Sequence, residues 1–256
     1  MNVVLLPSSL DLPVADAPQY LTSFLINECV AIDAGPLGLF RRPQDQQGIR
    51  DVFLSHSHID HLASLPVFLE NVHRTAAEPV RIHALEPVLA SLQTDIFNDR
   101  VWPNLLRLGR ADAPLVELRE LVPGQAVEVG MLRVTPIPVN HVVPTAGFII
   151  EDPETAVVIA TDTGPTEEIW QRANALPHLK AVFLEASFPN QLAWLAEASK
   201  HLTPALLERE VGKLHREVPV VVVHVKPQYA AEVIHEIRAL SRAQVIIGQA
   251  GREYTF

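Results

Sequence analysis

The densest chemistry in this chain is one seven-residue run, Ser55-His56-Ser57-His58-Ile59-Asp60-His61, which follows directly on the apolar Val52-Phe53-Leu54. Imidazole and carboxylate are ligands for first-row divalent metals, and four such side chains stand within these seven positions. The run lies between apolar segments, which argues against a surface histidine tract. An extended segment places His56 and His58 on one face by the two-residue period. Asp60 and His61 then turn away onto a following helix, so one run can feed two metals. Three solitary candidates share this placement at the end of an apolar run. His141 follows Pro138-Val139-Asn140, Asp162 follows the stretch 156–161 and precedes Gly164-Pro165, and His224 ends the valine-rich stretch 218–223. Each alone reads as structural. Together with the run they give five His and two Asp at one kind of location, enough for two sites of three to four ligands with open positions, the catalytic rather than the closed arrangement.

Such ligands need strands that end at a common edge. Short apolar runs predict strands over 3–6, 23–26, 30–32, 52–54, 80–83, 132–139, 148–151, 156–160, 181–185, 218–225 and 244–247. Helical periodicity predicts helices over 61–74, 87–98, 167–172, 191–200, 204–214 and 228–240. Two sheets face to face, with helices on both outer faces, accommodate that mixture. The 256 residues, 48% hydrophobic and 20% charged, suit one globular domain over 1–256. A formal net charge of −10 and no long basic run argue against a nucleic-acid partner, whose phosphates require Lys and Arg. A small anionic substrate remains compatible where metals supply the positive charge. The single cysteine, Cys29, excludes a disulfide within the chain and fits a reducing compartment. The first residues lack a basic n-region and break at Pro7, and no uncharged apolar run has membrane-spanning length, so the expectation is a cytoplasmic protein with no membrane contact.

The order His-x-His-x-Asp-His, then His, Asp and His, resembles the metallo-β-lactamase superfamily across essentially the whole chain. The resemblance implies a four-layer αββα sandwich of the α/β (α+β) class and two divalent metal ions, Zn first, with Mn or Fe as alternatives. It assigns His56, His58 and His141 to one metal and Asp60, His61 and His224 to the other, with Asp162 bridging. Ala31-Ile32-Asp33-Ala34-Gly35 is similar to the family's Asp-x-Gly strand end and suggests Asp33 as the partner that orients a ligand histidine. Within the superfamily the chain looks most like the class II 3′,5′-cyclic-nucleotide phosphodiesterases. That likeness rests on Phe97-Asn98-Asp99-Arg100-Val101-Trp102-Pro103, Leu184-Glu185-Ala186-Ser187-Phe188-Pro189, His201-Leu202-Thr203-Pro204 and His224-Val225-Lys226-Pro227. Ile59 and Ser64 depart from the residues many members carry there, Leu and Gly, and leave every ligand in place.

The implied reaction is hydrolysis of a cyclic nucleotide, cAMP first, to the nucleoside 5′-monophosphate by a metal-bridging hydroxide. The departing 3′ oxygen needs a proton, for which His201 with Glu185, or Asp60, are candidates. His201 equally fits a cap for the helix beginning near Pro204. Lys226, two residues beyond His224, points to the same side in an extended segment and is a candidate clamp on the substrate phosphate. Asn98 and Trp102 are candidates for hydrogen bonding to and stacking on the base, although a helix cap and helix-end packing account for them as well. His73, His83, His178, His215 and His235 fall outside the ligand pattern and read mainly as surface residues. Glu185, His201 and the segment 140–148 also resemble ribonuclease Z, which makes tRNA 3′ processing the alternative. Thioester or lactone hydrolysis uses the same ligand set, and a metal-braced nucleotide sensor is the non-enzymatic reading. The resemblance allows a homodimer.

Overall fold

The computed structural model describes residues 1–8, 19–73, 78–108, 114–240, 242 and 244–256. Strands β1 (Asn2–Leu5), β2 (Phe24–Ile26), β3 (Val30–Ile32), β4 (Asp51–Phe53), β5 (Val80–Ala84) and β6 (Val116–Glu120) come first along the chain. They are followed by β7 (Val127–Val129), β8 (Leu132–Pro138), β9 (Ala146–Glu151), β10 (Ala156–Ile159), β11 (Leu179–Glu185), β12 (Val220–Val223), β13 (Val245–Ile247) and β14 (Glu253–Thr255). They form two seven-stranded mixed sheets, in the orders β14-β1-β2-β3-β4-β5-β6 and β13-β12-β11-β10-β9-β8-β7.

The layering follows from the alternation of apolar residues on each strand. Val3 and Leu5 of β1, Phe24 and Ile26 of β2, and Phe53 of β4 face inward, meeting Phe148, Val157, Ile159, Phe183, Val221 and Val223 of the second sheet. Two aromatic pairs cross this interface edge to face, Phe24 with Phe183 at 5.5 Å and Phe53 with Phe148 at 6.0 Å, each adding about 1 kcal/mol beyond its buried area. The alternate residues face outward. Val4, Leu25, Ala31, Val52 and Leu54 pack beneath α2 (Leu65–Val72) and α3 (Glu86–Ser91). Val158, Val182, Leu184, Val220 and Val222 pack beneath α4 (Glu168–Ala175), α6 (Pro204–Val211) and α7 (Ala230–Arg238). Strands buried on both faces are therefore continuous apolar runs, and the fold is the expected αββα sandwich. No described helix is long and apolar enough to cross a membrane.

Three predicted elements differ. The helix expected over 61–74 is two, a single turn α1 (Ile59–Leu62) and α2. Ser64 breaks it: its N–H bonds the carbonyls of Ala34 and Gly35 instead of the preceding turn, and its hydroxyl donates to Ala34 O. Arg74 lies outside the described residues. The helix expected over 87–98 ends as α3 and continues as a π turn, Leu92–Ile96, closed by Phe97, whose N–H bonds Leu92 O. The valine-rich strand is four residues, β12, because His224 adopts φ 57 and turns the chain. Strands β6, β7 and β14 carry no apolar run and were not predicted; they lie at or beside the sheet edges, where one face stays wet.

At the first residue of β4, the end opposite the ligand run, Asp51 is 2% exposed. It accepts hydrogen bonds from Arg81 Nε at 2.7 Å, Arg81 Nη2 at 2.6 Å and His83 Nε2 at 2.8 Å. His83 is thus not a surface residue: it is buried, bonded to Asp51 and stacked on Phe53 at 4.3 Å. Burial pushes the Asp51 carboxyl up, but Arg81 and then His83 outweigh it and hold it down at about 2. A carboxyl depressed in the folded state stabilises above its unfolded value and loses that contribution as pH falls through the folded one. The shift from 3.8 to about 2 corresponds to about 2 kcal/mol at neutral pH. Asp51→Asn is therefore expected to lower urea stability at pH 7 by about that amount, with the gap to the unsubstituted protein roughly halved at pH 3. A gap constant across that range would contradict the account.

Candidate metal centre

The C-terminal ends of β3, β4, β8, β10 and β12 deliver the site. β3 runs parallel to β4, and β10, β11 and β12 run parallel to one another, so their ends open at one edge, and a backbone bond from Ala146 N to Ser55 O at 3.0 Å joins the two sheets there. Asp33, Thr161, Lys200 and His224 all take left-handed φ values between 52 and 60. Such values are uncommon for residues other than glycine, and here each stands at or beside a ligand or its support. Gly35 is required by contact rather than by torsion: a Cβ there would lie 2.3 Å from Asp60 O and 2.7 Å from Thr22 N.

Two ligand groups form. His56, His58, His141 and Asp162 make one, and Asp60, His61, Asp162 and His224 the other, each with its ligand atoms within 4.8 Å of one another. Asp162 belongs to both, as the resemblance implied. It is 1% exposed, with Oδ2 3.1 Å from His224 Nε2 and 3.8 Å from His56 Nε2, and Oδ1 3.3 Å from His61 Nε2.

The histidines are oriented from behind. Asp33, fully buried, accepts from Ser55 N at 2.7 Å, from Ser55 Oγ at 2.8 Å and from His61 Nδ1 at 2.7 Å. The Ser55 hydroxyl, its proton given to Asp33, accepts from His56 Nδ1 at 2.9 Å. His141 Nδ1 donates to Lys200 O at 3.1 Å, and Thr22 Oγ1 lies 2.9 Å from His224 Nδ1. Partners at Nδ1 leave the Nε2 lone pairs free for a cation. His58 is the exception, since its Nδ1 lies 3.3 Å from His141 Nε2. Asp33 thus stands where the sequence placed it, orienting His61 directly and His56 through Ser55. Thr22, Ser55 and the Lys200 carbonyl were not foreseen. Hydroxyls and carbonyls occur everywhere in a chain, and only Ser55, inside the ligand run, carried any signal.

The electrostatics suit cations. Burial, then the neighbouring His61, holds His56 well below the ordinary histidine value. Burial likewise lowers His58 and His141, so these three offer neutral imidazole. Burial opposes ionisation of Asp162, but His224 and His61 outweigh it and hold the carboxyl well below its usual range. His61 is raised despite burial because Asp162 and Asp33 face it, and a divalent cation at Nε2 answers the same negative field. His56 Nε2, His61 Nε2 and Asp162 Oδ1 are buried polar atoms with no hydrogen-bond partner. Unpaired atoms of this kind are costly, and metal ligation satisfies all three, so the donor set fits two divalent ions.

Beside the ligands, Glu185 is fully buried and accepts four hydrogen bonds. They come from His201 Nδ1 at 2.6 Å, Thr163 N at 2.9 Å, Ser187 Oγ at 2.8 Å and Leu202 N at 3.2 Å. His201 packs against His141 and His224, ring centroids 5.0 and 5.7 Å apart. It does not cap α6; Thr203 does, its Oγ1 accepting from Leu206 N. Lys226 reaches the centre, Nζ standing 3.2 Å from Asp60 Oδ2 and 3.0 Å from His224 Nε2. Asn98 and Trp102 are placed differently. The Asn98 amide donates to Thr94 O and accepts from Arg100 N and Val101 N, closing its own turn, and Trp102 packs on the outer core of the first sheet.

A family model described as the beta-lactamase superfamily domain matches residues 28–242. A protein of Yersinia pestis named probable 3′,5′-cyclic-nucleotide phosphodiesterase is 26% identical over 208 residues, 72% of this chain and 59% of that protein. Ribonuclease Z of Methanopyrus kandleri is 30% identical over 127 residues, 48% of this chain and 40% of that protein. The chain thus spans about three fifths of the first relative and less of the second. Among solved structures, unliganded yeast PDE1 superposes with a TM-score of 0.79 at 18% identity, covering 98% of both chains, a likeness of fold. With a matched region that runs through the His/Asp cluster, Asp162 and His224 in a two-sheet sandwich, this chain belongs to the beta-lactamase superfamily.

Proposed function

We propose that the protein is a phosphodiesterase that hydrolyses 3′,5′-cyclic nucleotides, cAMP first, to nucleoside 5′-monophosphates with two zinc ions. The observation that carries the reading is the pair of ligand groups sharing Asp162, with two proton-bearing side chains, His201 and Lys226, at their border. The relative named as a cyclic-nucleotide phosphodiesterase supports this choice of substrate among the superfamily's reactions. Two divalent ions bound there supply Lewis acidity, lowering the pKa of a water and offsetting charge on phosphoryl oxygens. The chain's own groups do the rest. His56, His58 and His141 with Asp162 would hold one ion, Asp60, His61 and His224 with Asp162 the other, and Asp33, Ser55, Thr22 and the Lys200 carbonyl keep the imidazoles in register. Lys226 provides a point charge for a phosphate oxygen. His201, held by Glu185, delivers a proton to the 3′ oxygen as the P–O bond breaks, and water supplies the new P–OH.

The test is release of 5′-AMP from cAMP by zinc-loaded protein, with bis(p-nitrophenyl) phosphate in parallel. Turnover of cAMP is expected. Cleavage of the generic diester alone would redirect the assignment to another phosphodiester, tRNA 3′ ends first, since relatives named ribonuclease Z also match. Cleavage of neither would remove the phosphodiesterase reading.

A further inference from the structure

Lys226 and the second metal ion compete for the same lone pairs. An ammonium has three donors and no acceptor, so across the 3.0 Å between Lys226 Nζ and His224 Nε2 the lysine can only donate, to the Nε2 lone pair of the tautomer protonated at Nδ1; in the other tautomer Nε2 donates to Asp162 Oδ2 at 3.1 Å. Thr22 Oγ1, 2.9 Å from Nδ1, is placed to take the ring's proton. The same ammonium lies 3.2 Å from Asp60 Oδ2. His224 Nε2 and the Asp60 carboxylate are half the donor set of the second group. A nitrogen has one lone pair: His224 cannot accept from Lys226 and ligate an ion at once. The left-handed turn at His224 returns the chain so that a residue two positions on faces the ligand before it.

The first group has no cationic competitor. His56 Nε2 has no hydrogen-bond partner, and His141 Nε2 meets His58 Nδ1 at 3.3 Å, an imidazole of the same donor set rather than an ammonium. The charges differ in the same direction. The first group has one carboxylate, Asp162, whereas the second adds Asp60, and Lys226 offsets that extra charge.

We infer that Lys226 is a built-in counter-cation of the Asp60–His224 half of the centre, which loads the second ion only by displacing the lysine, so that the two ions bind in order and the ammonium is released towards the anionic substrate by the loading itself. This rests on the two-metal reading, and the experiment separates the two. Zinc is titrated into metal-stripped protein against a chelating dye, with ions per chain counted by elemental analysis, for the unsubstituted protein, Lys226→Met and Lys226→Arg. The unsubstituted protein is expected to bind one ion tightly and a second more weakly. Lys226→Met should tighten the second by about 10- to 100-fold, the worth of hydrogen bonds to charged groups, and leave the first unchanged. Lys226→Arg should keep the order. Two ions with indistinguishable affinities, or a second affinity that Lys226→Met leaves unchanged or weakens, overturn the inference and spare the two-metal reading; no bound zinc overturns both. A readout on the unsubstituted protein needs no variant. Acylation of Lys226 by an amine-reactive reagent, followed by mass spectrometry, should rise on filling the second site, and an unchanged rate between one and two ions per chain would count equally against it.

Discussion

On the proposed reading, Asp162→Ala is expected to lower phosphodiester hydrolysis by on the order of 10³-fold or more and to reduce bound zinc below two ions per chain, while the protein stays folded. Asp162 is the one residue common to both ligand groups, so its loss opens both coordination spheres at once, whereas loss of His58 or Asp60 opens one. The effect on the fold is smaller than burial suggests. Asp162 Oδ1 makes no hydrogen bond, and the carboxylate faces His56, His61 and His224 within 3.1 to 3.8 Å rather than bracing a strand. The turn after it is held independently: Thr163 N donates to Glu185, and Gly164 N to Asn140 O at 2.7 Å. Circular dichroism should be unchanged and zinc-induced thermal stabilisation reduced. A variant that keeps two ions and its turnover would remove the bridging role, and with it the shared-carboxylate basis of the proposed chemistry.

The two candidate ligand groups were legible because their chemistry is rare and their placement regular. His56, His58, Asp60 and His61 stand in one run, and His141, Asp162 and His224 each end an apolar stretch, so side-chain type and strand position agree. The αββα layering was legible for the same reason: strands such as β10 and β12 are apolar on both faces only because a sheet packs on one side and helices on the other. What failed to show was whatever depends on a distant partner. His83 has no local cue, and its burial follows from Asp51, 32 residues away. Ser55 and Thr22 are ordinary hydroxyls until folding brings them to His56 and His224. The break at Ser64 is a competition that periodicity does not register, because the winning acceptors, Ala34 O and Gly35 O, lie some 30 positions back.

His201→Ala should lower kcat by about 10²- to 10⁴-fold, the usual contribution of a positioned acid, with both ions retained. Burial pushes the imidazole towards neutrality, but the Glu185 carboxylate at 2.6 Å outweighs it and raises His201 above its ordinary 6.5. The sign of the pH effect follows. A general acid works in its protonated form, so the rate should hold through neutral pH and fall above the raised pKa. Glu185→Gln removes the charge that raises it, and the alkaline limb should move to lower pH. Because Glu185 also accepts from Thr163 N, Ser187 Oγ and Leu202 N, and a glutamine offers one acceptor oxygen there, zinc content must be measured beside the profile. The competing account is that His201 only packs against His141 and His224. Removing it would then loosen those ligands, zinc would leave, and activity would return at high zinc concentration. Loss of turnover that excess zinc does not restore separates the two, because a missing proton donor cannot be replaced by mass action on the metal.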